Sequence, residues 1–261
     1  MPTEVPLIDV NVTLGRWPTR RVPLDDTRKL VAKLREHNVI EAWAGHFDGL
    51  FHEDVTSVND RLAGECRSHT EVRIIPFGEI NPLHQGWQAE LERCAAHHRM
   101  PGVRLHPNYH GYKLNHPSFA RLLKAATERN LLVQLAVLME DDRMMHPLIR
   151  VPQVDLAPLP ALLKQTPNLQ LILLNATKSA HEEQLPSIMS GGNVYCEIAM
   201  LETVGGLEKL INLVPPERIL FGSHAPSLYF ESARLKLQES QLPAPHLRAI
   251  TQENARRLFA R

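Results

Sequence analysis

One short stretch of this sequence gathers several groups that can hold or move a proton. Arg104-Leu105-His106-Pro107-Asn108-Tyr109-His110-Gly111-Tyr112 puts a guanidinium, two imidazoles and two phenols into a single loop. A guanidinium offers a carboxylate a planar two-point contact, and imidazoles exchange protons near neutral pH. Gly111 permits a tight turn between them. The competing reading pairs Arg104 with Asp9 or Glu79 in the interior and leaves the tyrosines merely packing.

Further polar residues stand at or just beyond the ends of short apolar runs: Asp9, Asn11 and Thr13, His46, Glu79, Gln134, Asn175, Glu197, and Ser223 with His224. Any one alone reads as a structural hydrogen-bonder. As a set they read as the lining of one pocket. His224, His106 and His110 are the candidate catalytic groups; Arg104, Asn11, Asn175, Gln134, Glu79 and Tyr109 are the candidate substrate contacts. Ser223 lacks the G-x-S-x-G elbow of a nucleophile. His97 and His98 are set aside as a solvated helix end, because adjacent helical residues do not face one point.

The elements that must position these residues alternate between short β-branched or Leu-rich runs and longer helical patterns, the order of repeated βα units. Eight runs are legible: 5–12, 39–44, 72–75 with Phe77, 103–105, 131–138, 169–174, 194–198 and 219–221. Between them, apolar spacing predicts helices over 26–37, 88–98 and 118–129, and a closing helix over 245–259. Ser118 is the expected N-cap of the third, with Asn38 and Asn130 as stops. The proline- and charge-rich interval 139–160 keeps no period and reads as a long loop that could cover a pocket.

At 261 residues the chain has the usual length of a TIM barrel. The fold class expected is α/β, a single (β/α)₈ barrel in one domain over residues 1–261. Lys and Arg number 29 and Asp and Glu 29, so no net field draws the chain to nucleic acid or an anionic membrane. The expected partner is a small-molecule substrate, and a homo-oligomer is compatible with this. Cys66, Cys94 and Cys196 are odd in number and make no C-x-x-C pair, which argues against a disulfide framework and fits a cytoplasmic setting. No signal-peptide pattern opens the sequence, and no apolar run reaches membrane-spanning length.

With these anchors in view, the sequence resembles the amidohydrolase-related family. Leu7-Ile8-Asp9-Val10-Asn11-Val12-Thr13-Leu14-Gly15 is similar to its opening strand, usually Asp-x-His-x-His-x-Gly. Gly102-Val103-Arg104-Leu105-His106-Pro107 resembles its fourth strand, Phe221-Gly222-Ser223-His224-Ala225-Pro226 its eighth, and Glu253-Asn254-Ala255-Arg256-Arg257-Leu258-Phe259 its closing helix. The departures fall on the positions the resemblance assigns to metal: Asn11, Thr13, Ala136 and Asn175 stand for histidines, and His224 for an aspartate. Asn and Thr are poor zinc ligands and Ala is none. No cofactor is therefore expected. A relocated divalent metal on His106, His110, His224 and Glu79 is the alternative.

The resemblance implies hydrolysis of a lactone- or amide-type C–O or C–N bond in a small carboxylated or cyclic substrate, without metal. His224, in place of the aspartate, would be the base. Decarboxylation on the same barrel and a non-catalytic, metabolite-binding descendant are the alternatives.

Overall fold

The computed structural model describes residues 5–178 and 184–259. Its strands are parallel and run β1 Leu7–Leu14, β2 Val39–His46, β3 Arg73–Pro76, β4 Gly78–Glu79, β5 Gly102–Leu105, β6 Leu132–Ala136, β7 Gln170–Leu174, β8 Asn193–Glu197 and β9 Ile219–Leu220. Phe77 splits the third stave into β3, which pairs with β2, and β4, which pairs with β5. The ring closes between last and first: Val10 N–H donates to Phe221 O at 3.0 Å and Thr13 N–H to Ala225 O at 2.9 Å. This is the (β/α)₈ barrel that the alternating runs predict, each stave lying within a few residues of its expected place.

One irregularity matters for the site. The register between β1 and β2 shifts between Asp9 and Val12. Because strand side chains alternate, a one-residue slip exchanges the two faces. Ile8 and Val10 pack with Trp43, Phe77, Leu132, Ile172 and Leu220 in the barrel's lower interior. Beyond the slip, Val12 and Leu14 join the outer core against the helices, and Asn11 and Thr13 take the inward places.

The helix over Thr27–Glu36 begins on Asp26, whose side chain accepts from Lys29 N. Asn38 and Asn130 adopt the left-handed conformation expected of stops, with φ of 58° and 55°. The helix over Pro117–Glu128 corrects one expectation: its N-cap is His116, whose ring accepts from Ser118 N at 3.1 Å, and Ser118 lies inside. Sequence pattern overlooked the helix over Val55–Ser68, which buries Val58, Leu62 and Cys66. The closing segment is broken by a π turn over Ala249–Glu253. There Ile250 O accepts from Phe221 N, and Asn254 Nδ2 donates to Ile219 O at 2.7 Å, pinning the helix to the last stave.

The long loop runs to Pro158, where the helix over Leu159–Gln165 starts. It folds back on the barrel through Val154 N, which donates to Val137 O at 3.0 Å, and through Asn108 Nδ2, which donates to Pro152 O. No helix among the described residues is long and apolar enough to cross a membrane.

Candidate active site

The strand ends bring the polar residues of the sequence together in two groups. Around the first and last staves, Asn11 Nδ2 donates to Asn175 Oδ1 at 2.9 Å and to Glu197 Oε1 at 3.2 Å. Asn175 Nδ2 donates to Leu138 O and stands 3.4 Å from His224 Nδ1. His224 Nε2 lies 2.8 Å from Met139 O, so that nitrogen carries the proton and donates it. Glu197 also accepts from the backbone N–H groups of Asn175 and Ala199. Each of these side chains is at most 1% exposed, and hydrogen bonds link them to one another and to Leu138 O and Met139 O.

This geometry corrects the role expected of His224. Both of its ring nitrogens are engaged, and burial pushes its pKa down to about 4. Its φ of 56° fixes the ring in a left-handed turn. Ser223 is structural as read: its hydroxyl donates to the Asp9 carboxylate and accepts from Ala225 N at 3.0 Å. Asp9, buried beneath, is held at about 7 because its charge is costly there.

Arg104 crosses the barrel's centre at 1% exposure. Its Nε donates to Gln134 Oε1 at 2.8 Å, Nη1 to Val12 O at 2.8 Å and Thr13 Oγ1 at 3.2 Å, and Nη2 to Trp43 O at 3.1 Å. Four of five N–H groups are thus spent on neutral acceptors of the chain, which leaves no two-point face for a substrate. Gln134, which also donates to Val10 O at 2.9 Å, and Asn11 and Asn175 are likewise committed inside the fold rather than turned to a ligand. The pairing of Arg104 with Asp9 or Glu79 does not form either; those carboxylates act on it only through the field.

The second group keeps free valences. His106 Nδ1 lies 2.9 Å from Glu79 Oε1, while His106 Nε2, Glu79 Oε2, His110 Nδ1 and Tyr112 Oη are buried without partners among the described residues. Asn59 fixes the backbone here, with Glu79 N donating to its Oδ1 at 2.7 Å and its Nδ2 donating to Glu79 O at 3.0 Å. His110 Nε2 donates to Gly49 O at 2.8 Å. Burial raises the Glu79 carboxyl to about 8 and lowers the His106 imidazole to about 3, so the pair is neutral near pH 7. A pocket of about 10 Å³, room for one water, opens beside His106 between Tyr109 and the loop residues Val151, Pro152 and Val154. Tyr109 stacks edge-on against Trp17 and Phe51. His46 stands apart, capping Phe47–Leu50 through Nδ1.

The resemblance implies a metal between the strand ends, and these residues do not fit one. Among the described residues, no three His, Cys, Asp or Glu side chains are gathered so as to hold a metal ion. Thr13 Oγ1 accepts from a guanidinium, and Asn175 Oδ1 accepts from Asn11 Nδ2. His106, His110, His224 and Glu79 are not gathered into a metal-holding group among the described residues either, and His224 Nε2 donates to Met139 O.

Sequence reasoning placed Glu197 among the polar strand-end residues but gave it no role; it is the acceptor that organises Asn11 and Asn175. The available signal was an acidic residue closing an otherwise apolar strand, Val194-Tyr195-Cys196-Glu197.

The amidohydrolase family profile matches residues 13–261. No curated protein matches the chain. Among solved structures, 5-carboxyvanillate decarboxylase from Sphingomonas paucimobilis superposes with a TM-score of 0.75 at 14% identity, over 97% of this chain and 98% of that one. Dihydroxybenzoic acid decarboxylase from Polaromonas sp. JS666, solved with manganese and the inhibitor 2-nitroresorcinol, gives 0.74 at 15% identity, over 97% and 96%. An amidohydrolase-like protein from Staphylococcus aureus gives 0.72 at 14% identity, over 97% and 99%.

Proposed function

The chain belongs to the amidohydrolase family, and from that premise we propose that it is a lyase that removes CO₂ from a small carboxylic acid. The observation that carries this reading is the buried Glu79–His106 pair, neutral near pH 7, with an unpartnered Nε2 beside a pocket at the strand ends. Decarboxylation needs a proton delivered to the carbon that bears the carboxylate, in a place shielded from water. In the pair, the Glu79 carboxyl donates to His106 Nδ1, which leaves the imidazole proton on Nε2. As Nε2–H protonates the substrate carbon, the Glu79 proton passes to Nδ1; the C–C bond breaks with its electron pair staying on the substrate, and the carboxylate leaves as CO₂. The pair is left anionic, its charge offset by the field of Arg104, and regains one proton from solvent. The pocket as it stands holds one water, so Tyr109 and the loop at Val151–Pro152 must move apart to seat the ring or chain of the substrate. That several solved structures of the same fold are decarboxylases supports the reaction class.

Hydrolysis has less support, because the base it would use, His224, has both nitrogens in hydrogen bonds. A second reading, binding without turnover, is favoured by the self-satisfied group of Asn11, Asn175, Glu197 and His224. One experiment separates them. Incubation with a panel of hydroxylated aromatic and conjugated carboxylates in D₂O should release CO₂ and leave one deuterium on the product carbon. Binding of panel members without CO₂ release would favour the second reading, and hydrolysis products would restore the first expectation.

A further inference from the structure

The opposite end of the barrel carries a feature that the carboxylate chemistry does not use. A cleft of about 440 Å³ lies where β3 begins and where the chain enters β5, lined by Arg67, His69, Arg73, His98 and Arg99 with an apolar wall of Ile74, Ile75 and Phe259. No carboxylate lines it. In a chain with a formal net charge of zero, three arginines lining one cavity, one of them paired, are a local excess rather than a general one. Two of the basic groups are already engaged: Arg73 Nη1 lies 2.9 Å from Glu41 Oε2, and His98 Nε2 3.0 Å from Asp60 Oδ1. Arg67 and Arg99 have no ion pair or hydrogen bond to their guanidiniums among the described residues.

We propose that this cleft binds a small molecule bearing a di- or triphosphate group, with Arg67 and Arg99 gripping the phosphates and Phe259 and Ile74 lying against whatever apolar part the ligand carries. Planar guanidinium forks match phosphate oxygens in a way that single ammonium groups do not. The volume falls within the range of small-molecule sites. The cleft sits at the N-terminal ends of the staves, while Glu79 and His106 sit at or beyond the C-terminal ends of β4 and β5. A ligand there is therefore no substrate of the pair; it stabilises the fold by binding the native state alone. The proposal stands apart from the decarboxylase reading.

The test is calorimetric titration and thermal melting of the intact protein with ATP and, separately, inorganic triphosphate, at low salt. The wild type should bind one equivalent and melt higher with saturating ligand. Arg67→Ala/Arg99→Ala should weaken binding at least tenfold, whereas Arg28→Ala/Lys113→Ala, which removes equal charge elsewhere, should leave it unchanged. Tighter binding of ATP than of triphosphate identifies a nucleotide as the ligand, and equal binding identifies the phosphate chain alone. Absence of saturable binding by both, or undiminished binding in the Arg67/Arg99 variant, overturns the proposal. All four positions are exposed, so circular dichroism matching wild type verifies that the variants are folded.

Discussion

His106 Nδ1 lies 2.9 Å from Glu79 Oε1, and each residue is only 2% exposed. A carboxyl raised to about 8 holds its proton below that pH and loses it above. If the pair is the proton donor, turnover of an identified substrate should fall as pH rises through about 8. Glu79→Gln keeps the shape but cannot relay a proton, and should lower kcat about a hundredfold or more with KM little changed. A Glu79→Gln enzyme with the wild-type rate and pH profile would remove the pair from the chemistry.

The same shift makes a stability statement. The folded-state pKa of Glu79 lies above its unfolded value near 4.5, and that of Asp9 above 3.8. The folded state therefore binds more protons, and the contribution present below those unfolded values is lost as pH rises through the folded ones. The lowered imidazoles of His106 and His224 act in the opposite sense up to their unfolded value of 6.5, so urea midpoints should decline above that pH, through the folded value of about 8 for Glu79, and Glu79→Gln should flatten the decline. Identical slopes in both proteins would show that Glu79 ionises normally.

Gly49 touches the pair without a charge of its own. A Cβ there would lie 2.8 Å from Glu79 Cγ and from Oε2, closer than real contacts allow. Gly49→Ala should push the carboxylate off His106 and lower turnover although no titratable group has changed. Structure determination of the variant checks the displacement directly.

Arg104 is expected to matter for folding more than for binding. Arg104→Met strands acceptors on Val12, Thr13, Trp43 and Gln134 in the interior, and hydrogen bonds from charged donors are each worth about 1.5–3 kcal/mol. Chemical denaturation should show a loss of about 3 kcal/mol or more. A loss below about 1 kcal/mol would mean that those acceptors find other donors.

His224 holds a φ of 56°, a conformation Asn tolerates and β-branched residues resist. His224→Asn should fold with a modest drop in melting temperature, and His224→Val should fall much further. Equal melting temperatures for the two variants would show that the backbone relaxes.

The barrel and the meeting of Asn11, His106, Asn175 and His224 near one end were legible because strand periodicity is local and the βα order leaves few topologies. What each side chain touches was not. Asn11 meets Asn175 across 164 positions and Glu197 across 186, and those distances exist only once the ring has closed. The slip in β1 that turns Asn11 and Thr13 inward leaves no mark on an alternating sequence, so Arg104's neutral partners could not be read ahead of the fold. His116 as a cap was missed for another reason: imidazole is an uncommon N-cap, while Ser is among the most favoured.

The hydrogen bonds among Asn11, Asn175, Glu197 and His224 also bear on how such a barrel can change over generations. Each member satisfies the next, so replacing any one with a metal-binding histidine or aspartate strands a buried neighbour at a cost of about 1–3 kcal/mol before a second replacement can recover it. The group is therefore all-or-none: a single substitution leaves a buried neighbour unpaired, and only coordinated substitutions keep the network satisfied.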